Sequence, residues 1–150
     1  MTTPAHPGRT FFVTIPVADV ERSTAFFTAL GFTFNPRFTD DSAACMLIGE
    51  HATAMLLSHE KFAEFSKRPM ADPATHALAL YSFGVPSRED VDRVADAALA
   101  AGAVEADGLE DLGFMVSRSF FDLDGHGWQV MWMDPAVAQP GFDETTVAAV

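Results

Sequence analysis

Few residues of this chain could do chemistry, and most of those have an ordinary structural use. Cys45 is the single cysteine. It sits in Ala43-Ala44-Cys45-Met46-Leu47 with no nearby cation to stabilise a thiolate, so it reads as a small buried hydrophobe and not as a nucleophile. His51, His59, His76 and His126 match neither a helical His-x-x-x-His pair nor a metal-finger spacing, and read as surface or capping residues. There is no glycine-rich phosphate loop and no Gly-x-Ser-x-Gly elbow, so nucleotide binding and serine hydrolysis have no support. Two polar residues stand out within β-like runs. Arg118, in Ser117-Arg118-Ser119, is a strand cation suited to anchoring an anionic group if it faces a cavity. Gln129 lies in Trp128-Gln129-Val130-Met131-Trp132-Met133, where alternation puts Gln129, Met131 and Met133 on one face and Trp128, Val130 and Trp132 on the other. By the same rule Phe12 and Thr14 share a face.

The elements that must carry these residues come in two similar halves. Phe11 to Val17 is β-branched and aromatic, as strands are. Asp19 then offers an N-cap to a helix reaching Leu30, with Val20, Phe26, Phe27 and Leu30 on one side and Gly31 as the stop. Strand-like runs follow at Phe32 to Phe38, Ala43 to Ile48 and Thr53 to Leu57. The second half repeats the order. A strand from His76 to Val85 leads into the capping box Ser87-Arg88-Glu89-Asp90 and a helix ended by Gly102. Strands are then expected at Val104 to Ala106, Phe114 to Phe121 and Trp128 to Met133, the last two joined by the turn Asp122-Leu123-Asp124-Gly125. The repeat predicts one α+β domain of two βαβββ modules, over 10–58 and 76–135. A connector at 59–75 holds a short helix from Glu60 to Lys67, and 136–150 reads as a tail.

At 150 residues, one core can bury roughly 68–70% of the unfolded chain's surface without a metal or disulfide. The hydrophobic content of 49% against 20% charged excludes a disordered chain. No apolar run approaches the ~20 residues that span a bilayer. Met1 to Thr10 lacks the apolar core of a signal peptide. The lone cysteine fits a reducing cytoplasm. A net charge of −12 (9 basic, 21 acidic residues) leaves no basic cluster for nucleic acid and would be repelled by an anionic membrane, though it could draw in a cationic ligand. The plainer reading of the acidic balance is that it keeps the protein soluble.

Ile15-Pro16-Val17-Ala18-Asp19-Val20-Glu21-Arg22-Ser23, with Phe26-Phe27 and Leu30-Gly31-Phe32 after it, resembles the opening of a module in the vicinal oxygen chelate superfamily. That superfamily contains glyoxalase I, bleomycin-resistance proteins and extradiol dioxygenases. Phe121-Asp122-Leu123-Asp124-Gly125-His126-Gly127-Trp128-Gln129-Val130-Met131-Trp132 is similar to its closing hairpin. Ala29 to Pro36, Gly113-Phe114-Met115 and Trp128 to Asp134 resemble a bacterial group labelled predicted lactoylglutathione lyases. The resemblance spans about residues 10–135. It implies curved sheets around a shared cavity, and a homodimer, as in many relatives. The cavity face would then carry Phe12, Thr14, Met55, Met115, Gln129, Met131 and Met133, with Arg118 as an anionic anchor.

The resemblance also implies where a metal would sit. Metal-dependent relatives use a His or Gln on the first strand of each module and a Glu on the last. Here the first-strand position, seven before Asp19, is Phe12, and the last-strand position of the second module is Gln129. Ala54-Met55-Leu56-Leu57 offers no ligand, and the remaining position falls near Leu78 to Leu80, with His76 just outside. His76 and Gln129 are thus the remaining candidates. Divalent sites need three or four matched donors, and an amide cannot be the proton-moving base of the glyoxalase reaction. The expectation is a metal-independent binder of a small, largely apolar or aromatic molecule, with no cofactor. Alternatives are a metal-dependent lactoylglutathione-lyase-like enzyme and a protein that sequesters a cationic antibiotic.

Overall fold

The computed structural model describes residues 8–138. Strand β1 (Phe11–Val17), helix α1 (Val20–Ala29) and strands β2 (Thr33–Phe34), β3 (Ala43–Gly49) and β4 (Ala52–Ser58) form the first unit. Helix α2 (His59–Phe65) and a connector lead to β5 (Leu80–Gly84), α3 (Arg88–Ala100), β6 (Val104–Asp111), β7 (Met115–Phe121) and β8 (Gly127–Met133). A last turn of helix, α4 (Pro135–Ala138), follows. The strands make two four-stranded curved sheets, ordered β1-β4-β3-β2 and β5-β8-β7-β6, neither of them closed. In each the first strand runs parallel to the last, and the other pairs are antiparallel.

Both long helices start where their caps dictate. Asp19 accepts the Arg22 N–H, and the Ser87 hydroxyl accepts the Asp90 N–H while donating to the Asp90 carboxylate. Asp90 is held below the usual carboxylate range, chiefly by its hydrogen bond from Arg93 and then by that from Ser87. The apolar stripes of both helices are buried: Val20, Phe26 and Phe27 on α1, and Val91, Val94, Ala95 and Ala98 on α3.

The helices lie between the sheets. α1 packs on β3 and β4, α3 packs on β7 and β8, and the two helices touch. Phe26 of α1 also reaches Phe120 of β7 (ring centroids 6.3 Å apart), and Phe27 reaches Trp128 of β8 (5.2 Å). Ile15, Val17, Met46 and Leu56 from one sheet and Phe83, Val116, Phe120, Trp128 and Val130 from the other therefore share one core. The opposite faces of both sheets look outward, away from each other.

The module order agrees with expectation, and several boundaries move. The run Phe32 to Phe38 supplies only the two-residue β2, because Asn35 accepts the Arg37 N–H and Pro36 opens a 3-10 turn. The strand expected from His76 begins at Leu80. Upstream, Asp72 organises a turn by accepting the N–H groups of Ala74 and His76 (3.0 and 2.8 Å). β6 extends to Asp111, with two register irregularities. Of the tail, residues 139–150 lie outside the described residues, as do 1–7. Among the described residues, no helix is long and apolar enough to cross a membrane.

Candidate functional site

Alternation assigns the candidate residues to two different surfaces. On the first sheet, the core-facing side of β1 holds Val13, Ile15 and Val17, so Phe12 and Thr14 point outward. Thr14 is the register partner of Met55. Next to them α2 folds back over the sheet, started by Ser58, whose hydroxyl accepts the Lys61 N–H. Thr14, Met55, Leu57, Phe62, Phe65 and Ser66 line an open apolar cavity of about 410 Å³.

The outward face of the second sheet carries Met115, Gln129, Met131 and Met133, with Met115 opposite Met133 and Ser117 opposite Met131. Gln129 stands between Ser82 on β5 and Ser119 on β7. The Ser82 hydroxyl donates to Gln129 Oε1 (3.2 Å), and Gln129 Nε2 donates to Ser117 Oγ (3.4 Å). Asp107, Glu110, Ser117, Ser119 and Gln129, with Gly108 and Leu109, line a cavity of about 360 Å³.

Arg118 belongs to neither surface. It shares the core-facing side of β7 with Val116 and Phe120, and reaches α3 instead of a ligand face. Its Nη1 donates to Asp92 (3.0 Å) and Asp96 (2.9 Å), and its Nη2 to Glu105 (3.5 Å), with the side chain only 12% exposed. Burial works against its charge, but the hydrogen bonds to Asp96 and Asp92 outweigh it and raise its pKa. The anionic-anchor expectation is corrected: Arg118 is a strut between β7, α3 and β6.

The histidines also change standing. His76 is exposed in the connector, with Nδ1 2.8 Å from the Thr75 hydroxyl, and Ser82 occupies the place beside Gln129. His126, read as a surface or capping residue, is 3% exposed, and its Nε2–H donates to the Pro16 carbonyl at 2.6 Å. This bond joins the β7–β8 turn to β1. Beside it Asp124 accepts the Ala18 N–H (2.8 Å), and Asp122 accepts three backbone N–H groups of its own turn and the Trp128 indole N–H (2.9 Å). Burial raises the Asp122 carboxyl, opposed by the nearby His126 and by these hydrogen bonds.

The metal positions follow from the register. Asp19 and Ser87 cap equivalent helices, so Phe12, seven before Asp19, corresponds to Leu80, seven before Ser87. Thr14 pairs with Met55 as Ser82 pairs with Gln129. The four positions are then Phe12, Met55, Leu80 and Gln129. Three hydrocarbon or thioether side chains and a neutral amide do not make a divalent-ion site. Among the described residues, no group of three or more His, Cys, Asp or Glu is placed to hold a metal.

Sequence reasoning missed Ser82, Ser117, Ser119, Phe62 and Phe65. Ser117 and Ser119 were within reach of the alternation rule, being two and four residues from Met115. Ser82 was marked by standing five before its cap, as Thr14 does.

Comparison with known proteins bears on the fold. Residues 9–49 match the family described as bleomycin resistance protein-like N-terminal. The structure is similar to that of a hypothetical protein from S. aureus (TM-score 0.70, 26% identity, covering 82% of this chain and 92% of that one). It is also similar to a glyoxalase/bleomycin resistance protein/dioxygenase family enzyme from Burkholderia phytofirmans PsJN (0.67, 19%, 81% and 96%). A third likeness is to a glyoxalase-related enzyme from Fulvimarina pelagi (0.70, 15%, 83% and 88%). No curated protein sequence matches. The fold is thus the one seen in glyoxalase/bleomycin-resistance proteins, and the first module carries the sequence match to the bleomycin-resistance-like N-terminal family.

Proposed function

We propose that the protein binds a small, largely apolar or aromatic molecule on the outward faces of its sheets, without a divalent metal. The supporting observation is the occupancy of the four strand positions by Phe12, Met55, Leu80 and Gln129. The apolar cavity beneath α2 and the methionines around Gln129 supply the contact surface. A second copy belongs to this reading. Phe12 is 60% and Leu80 82% exposed on their faces, and apposing one copy's first sheet to the other's second would close a cavity between them. The setting we propose is cytoplasmic, in keeping with a single unpaired cysteine.

A second reading, sequestration of a cationic antibiotic, draws on Asp107 and Glu110 at the rim of the Gln129 cavity. It predicts affinity for bleomycin-type compounds that weakens as salt rises. The lactoylglutathione-lyase alternative would require an anionic ligand and base at Gln129. Purified protein offered Ni, Zn, Fe and Mn and then desalted should retain no stoichiometric metal, and should not turn over methylglyoxal with glutathione. One tightly held ion per chain with glutathione-dependent turnover overturns the proposal.

A further inference from the structure

We propose that Ser82, Gln129 and Ser117 form a hydrogen-bonding clamp that selects a neutral cis-amide edge, as in a lactam or pyridone, on a ring-bearing ligand. The inference rests on reading the outward face of the second sheet as a ligand surface.

A primary amide offers two N–H donors and two carbonyl lone pairs. At Gln129 one donor is used by Ser117 and one lone pair by Ser82, so one of each remains. A cis –CO–NH– group presents the complementary pair. The amide is held from both sides, by β5 and by β7, and Ser117 is only 2% exposed, so little rotamer entropy is left to lose on binding. The charge pattern excludes an anion: the cavity lining includes Asp107 and Glu110 and no basic side chain, while Arg118, on the neighbouring strand, is turned to the other face. Met131 and Met133 continue the same face along β8, with Met115 opposite Met133. Polarizable thioethers beside an oriented amide suit a flat ring whose edge carries the hydrogen-bonding group.

The test uses full-length protein with ¹³C-labelled methionine methyls and three bicyclic probes: 2-quinolone, N-methyl-2-quinolone and quinoline-2-carboxylate. N-methylation removes the donor and leaves the ring. The expected result is shifts at the Met115, Met131 and Met133 methyls, with 2-quinolone binding about tenfold or more tightly than its N-methyl derivative and the carboxylate weakest. Gln129→Leu should abolish the preference while the N-methyl compound still binds, and an unshifted Met46 methyl in the core reports that this variant is folded. Ser82→Ala, at an exposed position, should reduce the preference without affecting folding. Equal affinities for the two quinolones with shifts at Met131 and Met133 would overturn the clamp and leave the ligand face standing. No shift at these three methyls with any probe would overturn the face itself, and the clamp with it.

Discussion

Asp122 is the residue on which the β7–β8 turn is organised, since one oxygen takes three backbone N–H groups and the other the Trp128 indole. Asp122→Asn keeps the first set but turns an N–H₂ toward the indole N–H, so two donors face each other in a buried place. Urea unfolding should show a loss of about 1–3 kcal/mol. The sign with pH follows from the raised carboxyl. The folded state holds its proton more tightly than the unfolded chain, so that contribution is full below the unfolded carboxylate value and is lost as pH rises through the folded one. The gap between wild type and Asp122→Asn should narrow across that window. Arg118→Met is the companion test. It leaves Asp92, Asp96 and Glu105 facing one another without a cation, but these acids are largely exposed and screened. The expected loss is about 1 kcal/mol with no change in probe affinity. A weakened ligand would return Arg118 to the site.

Among the elements, the β7–β8 turn couples most of the fold, since it meets β1 through His126, the start of α1 through Asp124 and the connector through Gly125. Gly125 has φ +98°, and a Cβ there would lie 2.7 Å from the Pro73 carbonyl oxygen and 2.9 Å from Ala74 Cα, both backbone atoms that cannot swing aside. Gly125→Ala combines left-handed strain with a clash, and should lower the urea midpoint by the equivalent of about 2 kcal/mol or more. A neutral result would mean that the connector moves freely from the turn. Helix α2 was legible as a short helix, but its position over Thr14 and Met55 was not, because nothing local specifies which sheet face a connector helix covers.

For the whole molecule, burial of both helices between the sheets leaves two outward faces of different character, one apolar beneath α2 and one polar around Gln129. If a second copy joins them, sedimentation equilibrium should give twice the chain mass of 16.2 kDa. Phe12→Asp should then shift the equilibrium toward monomer while leaving the thermal melt of the monomer near that of the wild type, since Phe12 is outside the core. A monomeric wild type at micromolar concentration would remove the shared cavity from the proposal.

The module order, the caps at Asp19 and Ser87 and the facing of Gln129, Met131 and Met133 were all readable from sequence, because each depends on neighbours a few residues away. Alternation in β7 also held the answer for Arg118, which lies an odd number of residues from Met115 and so cannot share its face. Tertiary structure alone decided the rest. The burial of His126 comes from a carbonyl on β1, 110 residues away in sequence. The place beside Gln129 goes to Ser82 and not His76 because a parallel strand pair sets its register through long-range packing. The two sets of outward residues part company because α1 and α3 choose each other and both sheets as partners, and helix–sheet layering is settled by the apolar area buried across the whole chain.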